Sequence, residues 1–237
     1  MNKPTTITSI SVALGLCIAA RAHAQELVTN GGFESGLAGW SLADSVGSDG
    51  GFQLQSGSTS GINGLPVAAP VEGLRAAMTD SGGPGSHALF QDFNVPLTVP
   101  QATMRFSLYI GNRATAFSTP NTLDWTTPTL NQQARVDIMS TGADPFSTNL
   151  ADILQNVFQT TIGSPLVTGY NEVTVDITAL LAAHAGETLR IRFAEADNVN
   201  IFNFGVDGVS LLVVPSPTPL ALLGLGALAV SSRRRTA

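Results

Sequence analysis

Three stretches of this chain alternate apolar and polar residues with a period of two, and this pattern restricts the class of fold. The clearest stretch spans residues 104–110, where the apolar positions are Met104, Phe106, Leu108 and Ile110. Residues 173–177 and 189–193 alternate in the same way. Such alternation is typical of a strand with one buried face. We therefore expect a chain built mainly of β-strands.

Shorter apolar runs indicate more strands, near residues 26–29, 52–55, 74–79, 87–95, 133–139 and 204–213. Clusters of Gly, Ser, Pro and Asn separate them. Helix signals are few: one short helix is predicted at 178–184, before Gly186, and a weaker one at 151–158. Many short strands with one or two helical turns predict an all-β fold, an antiparallel β-sandwich, as a single domain over residues 25–214.

The first 24 residues have the pattern of a secretory signal peptide. Lys3 supplies a positive start, residues 7–20 are mostly apolar, and Ala22-His23-Ala24 has the small-x-small form that precedes a cleavage site. We expect signal peptidase to cut after Ala24, which makes Gln25 the first residue of the exported protein.

The last 23 residues form a second terminal segment with its own pattern. Pro215, Pro217 and Pro219 interrupt regular structure, residues 220–230 are apolar, and Arg233, Arg234 and Arg235 follow near the end. Eleven helical residues cover about 16 Å, roughly half of a hydrocarbon core of about 30 Å. The arginines would stay on the cytoplasmic side. This pattern favours a short hydrophobic helix that holds the protein transiently, with a simple C-terminal anchor as the alternative.

The order of proline motif, short Leu/Gly/Ala-rich stretch and terminal arginine cluster resembles the PEP-CTERM sorting domain of exported bacterial proteins. The resemblance implies processing by an exosortase, a membrane transpeptidase-like enzyme. The family's usual Pro-Glu-Pro corresponds here to Pro215-Ser216-Pro217, which lacks the carboxylate. The resemblance implies a protein of the cell envelope, surface or extracellular matrix.

Charge and cysteine usage exclude several classes of partner and site. Between the two terminal segments lie six arginines, no lysine and all 17 acidic residues, so this part has a net charge of −11. Such a surface repels nucleic acids. The one cysteine, Cys17, lies in the signal peptide, which excludes a disulfide framework, a thiol nucleophile and a cysteine zinc site from the domain.

The start of the domain resembles that of galactose-binding-like jelly-roll domains, which include several carbohydrate-binding modules. The resemblance rests on residues 27–34 (LVTNGGFE), Gly39-Trp40, residues 88–96 (ALFQDFNVP) and residues 202–214 (FNFGVDGVSLLVV). It implies a jelly-roll topology. It also implies a structural calcium ion held by Glu34 and Asp207, with Asp49 as a weaker third candidate ligand.

The last strand contains a change of phase that the residues themselves reveal. Phe204 and Val206 share one face, whereas Val209, Leu211 and Val213 require a shift by one residue. A β-bulge at Asp207-Gly208 would produce that shift, and bulges often redirect a side chain toward a site. Asp207 is therefore a candidate ligand. The alternative is that Glu34 caps a turn and Asp207 only serves the bulge.

Catalytic patterns are weak in this sequence. The domain lacks the Gly-x-Ser-x-Gly, His-Glu-x-x-His and phosphate-loop motifs. A glycoside hydrolase would need two carboxylates, for which Glu187, Glu195 and Asp197 are candidates. Because acidic residues are common in this chain, we interpret residues 195–200 as a polar surface loop, or at most as a second cation site. We therefore predict a protein that is not an enzyme.

Aromatic residues provide the main hint of ligand binding. Trp40 is expected in the core, whereas Trp125 lies in the long polar segment 111–132, where it is either an exposed loop residue or an anchor for a sugar ring. The leading hypothesis is a surface or matrix protein that contributes to an extracellular polysaccharide layer. The second hypothesis is a calcium-assisted carbohydrate-binding module, and a glycoside hydrolase is the third.

The predicted export signal can be tested by mass spectrometry of the exported protein, whose first residue should be Gln25. Because the cleavage motif needs a small residue directly before the cut, Ala24→Arg should block processing. His23→Arg changes the neighbouring unrestricted position and should leave processing intact. An exported protein that begins at Met1 would contradict the prediction.

Overall fold

The computed structural model of this chain describes residues 24–214, which form two antiparallel β-sheets packed face to face. The elements in chain order are β1 (Gln25–Glu26), β2 (Ser41–Asp44), β3 (Gly51–Gln55), β4 (Ala76–Asp80), β5 (Gly85–Asn94), β6 (Gln101–Asn112), β7 (Gln132–Ser140), β8 (Ile153–Gln159), β9 (Asn171–Asp176), α1 (Thr178–Ala183), β10 (Thr188–Asp197) and β11 (Phe202–Val214). The predicted all-β sandwich with a short helix is confirmed.

Successive strands cross from one sheet to the other. The first sheet, sheet A, has the order β3-β4-β11-β6-β9, with β1 added to β11. The second, sheet B, has the order β2-β5-β10-β7-β8. Between β4 and β11 the chain changes sheet at every step except from β7 to β8. Such crossing between two antiparallel sheets is what the predicted jelly roll requires.

The core lies between the sheets and follows the alternation seen in the sequence. On β10, Leu189, Ile191 and Phe193 are buried and belong to the main core cluster. Phe106 of β6 meets Phe193 edge to face, with ring centroids 5.5 Å apart. Contacts of this kind between inner faces hold the sheets together, since burial of large aromatic and aliphatic side chains is the main favourable term in folding.

The N-terminal motif forms a compact turn. Asn30 has a positive φ of 55°, and its Nδ2 donates hydrogen bonds to the carbonyl oxygens of Gly36 and Ala38 at 2.8 and 2.9 Å. The indole N–H of Trp40 donates to the Asn30 carbonyl at 3.1 Å. The Trp40 ring is buried 5.4 Å from that of Phe33. This motif therefore closes one edge of the core, which confirms the buried position expected for Trp40.

The predicted bulge in β11 is present. Pairing of β11 with β6 shifts register between Asp207 and Ser210, and Gly208 has a φ of 59°. A residue in this left-handed region is most easily glycine. The bulge lets Phe204 and Leu211 both reach the core despite their odd spacing.

Three local predictions were wrong. Residues 151–158 contain no helix, because 153–159 form β8, whose pairing with β7 is interrupted by two register shifts that remove the simple period of two. Regular strand structure near 26–29 is limited to β1, and the short strand β2 was missed. Residues 195–197 are the end of β10 rather than part of a loop.

Residues 1–23 of the predicted signal peptide (1–24) and the whole predicted sorting tail (215–237) lie outside the described residues. Ala24 and Gln25 are described, and both are exposed at the start of β1. Within residues 24–214, no helix is long and apolar enough to cross a membrane. The signal peptide and the sorting tail therefore stay predictions.

Gly31→Ala should lower the free energy of unfolding by about 2 kcal/mol or more, as overpacking in a fixed site does. A Cβ at this position would overlap the carbonyl oxygen of Val209, to which the chain is tied by the hydrogen bond from Val209 N–H to the Gly31 carbonyl. Gly142→Ala is the matched control, since a Cβ there meets nothing within 4 Å. Urea unfolding of both variants measures the difference, and equal stabilities would contradict this packing.

Candidate functional site

Four segments meet at one end of the sandwich, and we call this surface the loop end: residues 45–50, 81–84, 124–131 and 198–201. Asp49 N–H donates to the Pro84 carbonyl at 3.1 Å, and Asn198 Nδ2 donates to the Trp125 carbonyl at 2.9 Å. A cleft of about 300 Å³ opens here, lined by Gly82, Gly83, Pro84 and residues 197–201. Its walls therefore present mainly backbone, amide and small apolar groups.

Asp197 is the one carboxyl residue in the lining of this cleft. It is the last residue of β10 and is only 1% exposed, and its Oδ1 accepts a hydrogen bond from Gly85 N–H at 2.8 Å. Burial raises the pKa of Asp197 to about 7, against the lowering effect of backbone N–H groups, and the nearby charge of Asp49 adds to the rise. Asp197 therefore changes charge near neutral pH.

His87 and Glu195 lie next to each other on the inner face of sheet B. They are directly paired across β5 and β10, and they are 0% and 1% exposed. His87 Nδ1 lies 2.7 Å from Oδ1 of Asp44, whose side chain is half exposed. His87 Nε2 lies 4.0 Å from Glu195 Oε1. Within the described residues, His87 Nε2 and Glu195 Oε2 are buried atoms without a hydrogen-bond partner.

Glu195 lies in surroundings that disfavour its charge. Burial raises the pKa of Glu195 well above its usual range, and the neighbouring Asp197 raises it further. A buried carboxylate without compensating donors is costly, so the neutral acid is the favoured form.

The interpretation of residues 195–200 as a surface loop was therefore wrong for the first three positions. The alternation of Leu189, Ile191 and Phe193 continues to Glu195 and Asp197, so both acids point to the inside of the sandwich. This continuation was the signal available in the sequence. Glu187 lies beyond the opposite end of β10, exposed and 2.9 Å from His184 Nδ1. The three candidate hydrolase carboxylates are therefore not brought together.

Gly85 makes room for the His87 ring. A Cβ on Gly85 would overlap His87 Nε2. The Gly-rich run before β5, which the sequence shows only as a strand separator, therefore shapes the pocket around this histidine.

Trp125 lies at the loop end, partly exposed. Its ring packs over Gly47, where an added Cβ would lie 3.3 Å from Trp125 Cζ2. The indole nitrogen is buried and has no hydrogen-bond partner among the described residues. Trp125 is not among the residues that line the cleft, and its role as a ligand anchor stays a prediction.

Glu34 and Asp207 act on the same backbone segment, residues 71–75. Glu34 Oε1 accepts hydrogen bonds from Leu74 and Arg75 N–H at 2.7 and 2.8 Å. Asp207 Oδ2 accepts from Val71 and Glu72 N–H at 2.8 and 2.9 Å. Burial raises the pKa of Asp207, whereas these N–H groups act to lower it. The two candidate calcium ligands thus converge on one segment.

Asp49 is not part of that arrangement. Its Oδ2 accepts a hydrogen bond from Gly82 N–H at 2.7 Å, at the loop end. Over residues 24–214 no group of three or more His, Cys, Asp and Glu side chains is arranged to hold a metal ion. Calcium takes six to eight oxygens, so Glu34 and Asp207 would need backbone carbonyls to complete a site. The calcium ion stays a prediction.

A second buried cluster of charged side chains lies on the outer face of sheet B, and no pattern in the sequence indicates it. Arg135 donates to both carboxylate oxygens of Asp137 at 2.8 Å, and the fully buried Arg192 also binds Asp137. Burial alone would raise the pKa of Asp137, but the two arginines hold it below its usual range. Arg192 Nη1 also donates to the carbonyls of Pro145 and Ser147 at 2.7 and 2.8 Å, which fixes the 141–152 loop. This cluster is structural.

Solved structures similar to this chain have low sequence identity to it. An adhesin domain, K3, of Lys-gingipain from Porphyromonas gingivalis matches with a TM-score of 0.49 and 14% identity, over 80% of this chain and 99% of its own. TmCBM61 in complex with β-1,4-galactotriose matches with a TM-score of 0.46 and 11% identity, over 80% and 99%. The Stig cyclase Fisc from Fischerella sp. TAU matches with a TM-score of 0.46 and 16% identity, over 82% and 100%.

These three proteins are an adhesin domain, a protein in complex with β-1,4-galactotriose and a cyclase, and their TM-scores are all below 0.5. One sandwich architecture hosts many functions, so the likeness assigns none of them to this chain. No protein-family model matches the sequence. No curated protein matches it either.

Asp197→Asn should change how stability depends on pH. The pKa of Asp197 is raised in the folded state from an unfolded value near 3.9, so its contribution is fully present below about pH 4 and is lost as pH rises through about 7. A rise of about three pKa units corresponds to up to about 4 kcal/mol. Asn keeps an oxygen acceptor for Gly85 N–H and carries no charge, so this variant should be more stable than the original protein at about pH 8.

Urea unfolding at several pH values measures this effect. Asp152→Asn, at the opposite end of sheet B, is the control and should keep the original pH profile. If the free energy of unfolding depends on pH in the same way in Asp197→Asn and in the original protein, ionisation of Asp197 does not lower stability, which contradicts the prediction. Below about pH 4 both proteins should lose stability together, because Asp137 then takes up a proton in the unfolded chain, whereas the two arginines hold its folded pKa lower.

Proposed function

We propose that this chain is an exported, non-enzymatic protein of the cell surface or extracellular matrix whose β-sandwich binds polysaccharide at the loop end. The observation that carries the proposal is the cleft of about 300 Å³ at the loop end, the same end of the sandwich that carries the partly exposed Trp125. Sugar sites combine an apolar or aromatic surface with a few fixed polar groups, and this cleft offers both.

The groups in the cleft suit hydrogen bonding to hydroxyl groups. Gly82 and Gly83 have no side chains to screen the backbone, whereas the carboxyl of Asp197 in the lining is only 1% exposed. Val199, which is 42% exposed, adds an apolar surface for the C–H faces of a sugar. Residues 25–214 contain no lysine and carry a net charge of −11, which favours neutral over anionic polysaccharides.

The same arrangement favours binding over glycoside hydrolysis. A glycosidase needs two carboxyl groups on either side of the bond that it breaks. The lining of the cleft contains one, Asp197, whereas Glu195 is buried beneath it. His87 is fully buried as well, so neither group is placed to reach a polymer.

Export and surface retention rest on the terminal sequence patterns. The proposal includes cleavage by signal peptidase after Ala24 and processing of the tail near Pro215-Ser216-Pro217 by an exosortase-like enzyme. It also includes a structural calcium ion at Glu34 and Asp207. That ion would stabilise the segment 71–75 rather than take part directly in binding at the loop end.

A screen of the purified protein against neutral and acidic polysaccharides, with calcium and with EDTA, tests the proposal. We expect binding to a neutral polysaccharide, and Trp125→Ala should weaken it at least about fivefold, as loss of a stacking aromatic costs about 1–3 kcal/mol. Leu97→Ala is the control, since Leu97 is 86% exposed in the loop after β5, at the other end of that strand from the loop end.

Each outcome of this screen separates the hypotheses. Binding that Trp125→Ala leaves unchanged would place the ligand on another surface. Failure to bind any polysaccharide under either condition would contradict the glycan proposal and leave a matrix scaffold. A thermal midpoint that is the same in calcium and in EDTA would remove the calcium ion from the account.

A further inference from the structure

We propose that His87 and Glu195 share one buried proton, and that losing this proton at alkaline pH loosens the loop end. This device is built into the sandwich and needs no ligand, so it goes beyond the proposed function. It rests on the two buried atoms without partners, His87 Nε2 and Glu195 Oε2, and on the distance of 4.0 Å between Nε2 and Glu195 Oε1.

The proton count follows from the contacts. Asp44 accepts the Nδ1 proton of His87 at 2.7 Å, which leaves Nε2 as the free position facing Glu195. The 4.0 Å between Nε2 and Glu195 Oε1 is too long for a direct hydrogen bond, so the proton resides on one partner at a time. With the proton on Glu195 both groups are neutral, and with the proton on Nε2 the two groups form an ion pair. Both forms hold the same number of protons. Removing one leaves a buried carboxylate beside a neutral imidazole that offers it no hydrogen at Nε2.

The acidic groups that face this pair would oppose that loss, and they are Asp197 of β10 and Asp44 of β2. From β4 the Thr79 hydroxyl interacts with Glu195 and acts in the opposite direction, because it lowers the pKa of Glu195. Asp49 of the 45–50 segment lies nearby and acts on Asp197. From β7 and β11 the inward neighbours are not titratable: Gln132, Ala134, Phe202 and Phe204. Among the described residues neither His87 nor Glu195 is paired with an arginine.

The position of the pair couples it to the loop end. Asp44 directly precedes segment 45–50, Glu195 and Asp197 precede 198–201, and His87 follows 81–84 by two residues. Segment 45–50 contacts Trp125 through Gly47. When the proton is lost, the carboxylates of Asp44, Glu195 and Asp197 repel one another at the base of these segments. The segments should then separate and expose Trp125.

Acrylamide quenching of tryptophan fluorescence measures this exposure, because the other tryptophan, Trp40, is buried in the core. Quenching of the original protein should rise at least about twofold between about pH 6 and about pH 10, beyond the ionisation of Asp197 near 7. Glu195→Gln cannot lose a proton and should stay constant over the upper part of this range. Glu187→Gln, on an exposed glutamate, is the matched control and should behave as the original protein.

Quenching that stays flat in the original protein, or that rises equally in Glu195→Gln, would overturn the proposal. A second measurement needs no variant: ¹⁵N NMR of the two imidazole rings in the domain, His87 and His184. The Nε2 signal of His87 should change together with the quenching, because this nitrogen lies 4.0 Å from Glu195 Oε1, whereas the signals of His184 should not follow the quenching. A His87 signal that does not change with the quenching would also overturn the proposal.

Both readouts are made without polysaccharide, so they can succeed or fail independently of the proposed function. If the loop end does bind polysaccharide, as proposed above, its affinity should fall over the same alkaline range. A pH response without any polysaccharide binding would support the shared proton of His87 and Glu195 and contradict only the proposed ligand.

Discussion

The inner face of β10 changes from apolar to acidic halfway along its length. This change places two carboxyl groups inside the sandwich at the loop end. Leu189, Ile191 and Phe193 close the core, and the same alternation then places Glu195 and Asp197 inside the sandwich. Because β10 is paired on both sides along its length, by β5 and β7, these acids cannot turn outward without breaking the register of the central sheet. Strands β5 and β2 place His87 and Asp44 beside these acids.

Buried acids without full hydrogen-bond partners reduce stability, and apolar side chains of similar volume in their place would make the core more stable. The outer face of the same sheet shows the contrast. There Asp137 is buried between Arg135 and Arg192 with its oxygens paired, and it fixes a covering loop. The cluster around Glu195 lacks such pairing and lies directly under the cleft. Local rules of burial are most often broken at functional sites, which is why we place function at this end of the sandwich.

Most of the fold could be predicted from the sequence, because its long strands follow the period of two. The bulge at Asp207 was also readable, since the apolar phase shifts within one strand. The wrong predictions have physical causes. Bulges in the pairing of β7 with β8 remove the period of two from β8, so its residues were predicted as a helix. Strand β2 is too short to show a period. Glu195 was misread because residue type was weighed above the phase of its strand. The hydrogen bonds from residues 71–75 to Glu34 and Asp207 could not be predicted from the sequence, since they join residues that are distant in the chain.

The central claim is that the loop end is the surface that binds polysaccharide, and an NMR titration with an oligosaccharide of a binding polysaccharide tests it most directly. The account predicts that the largest changes in backbone amide shifts fall in segments 45–50, 81–84, 124–131 and 198–201. Shift changes centred on the outer face of either sheet, or on the segment 71–75, would contradict it.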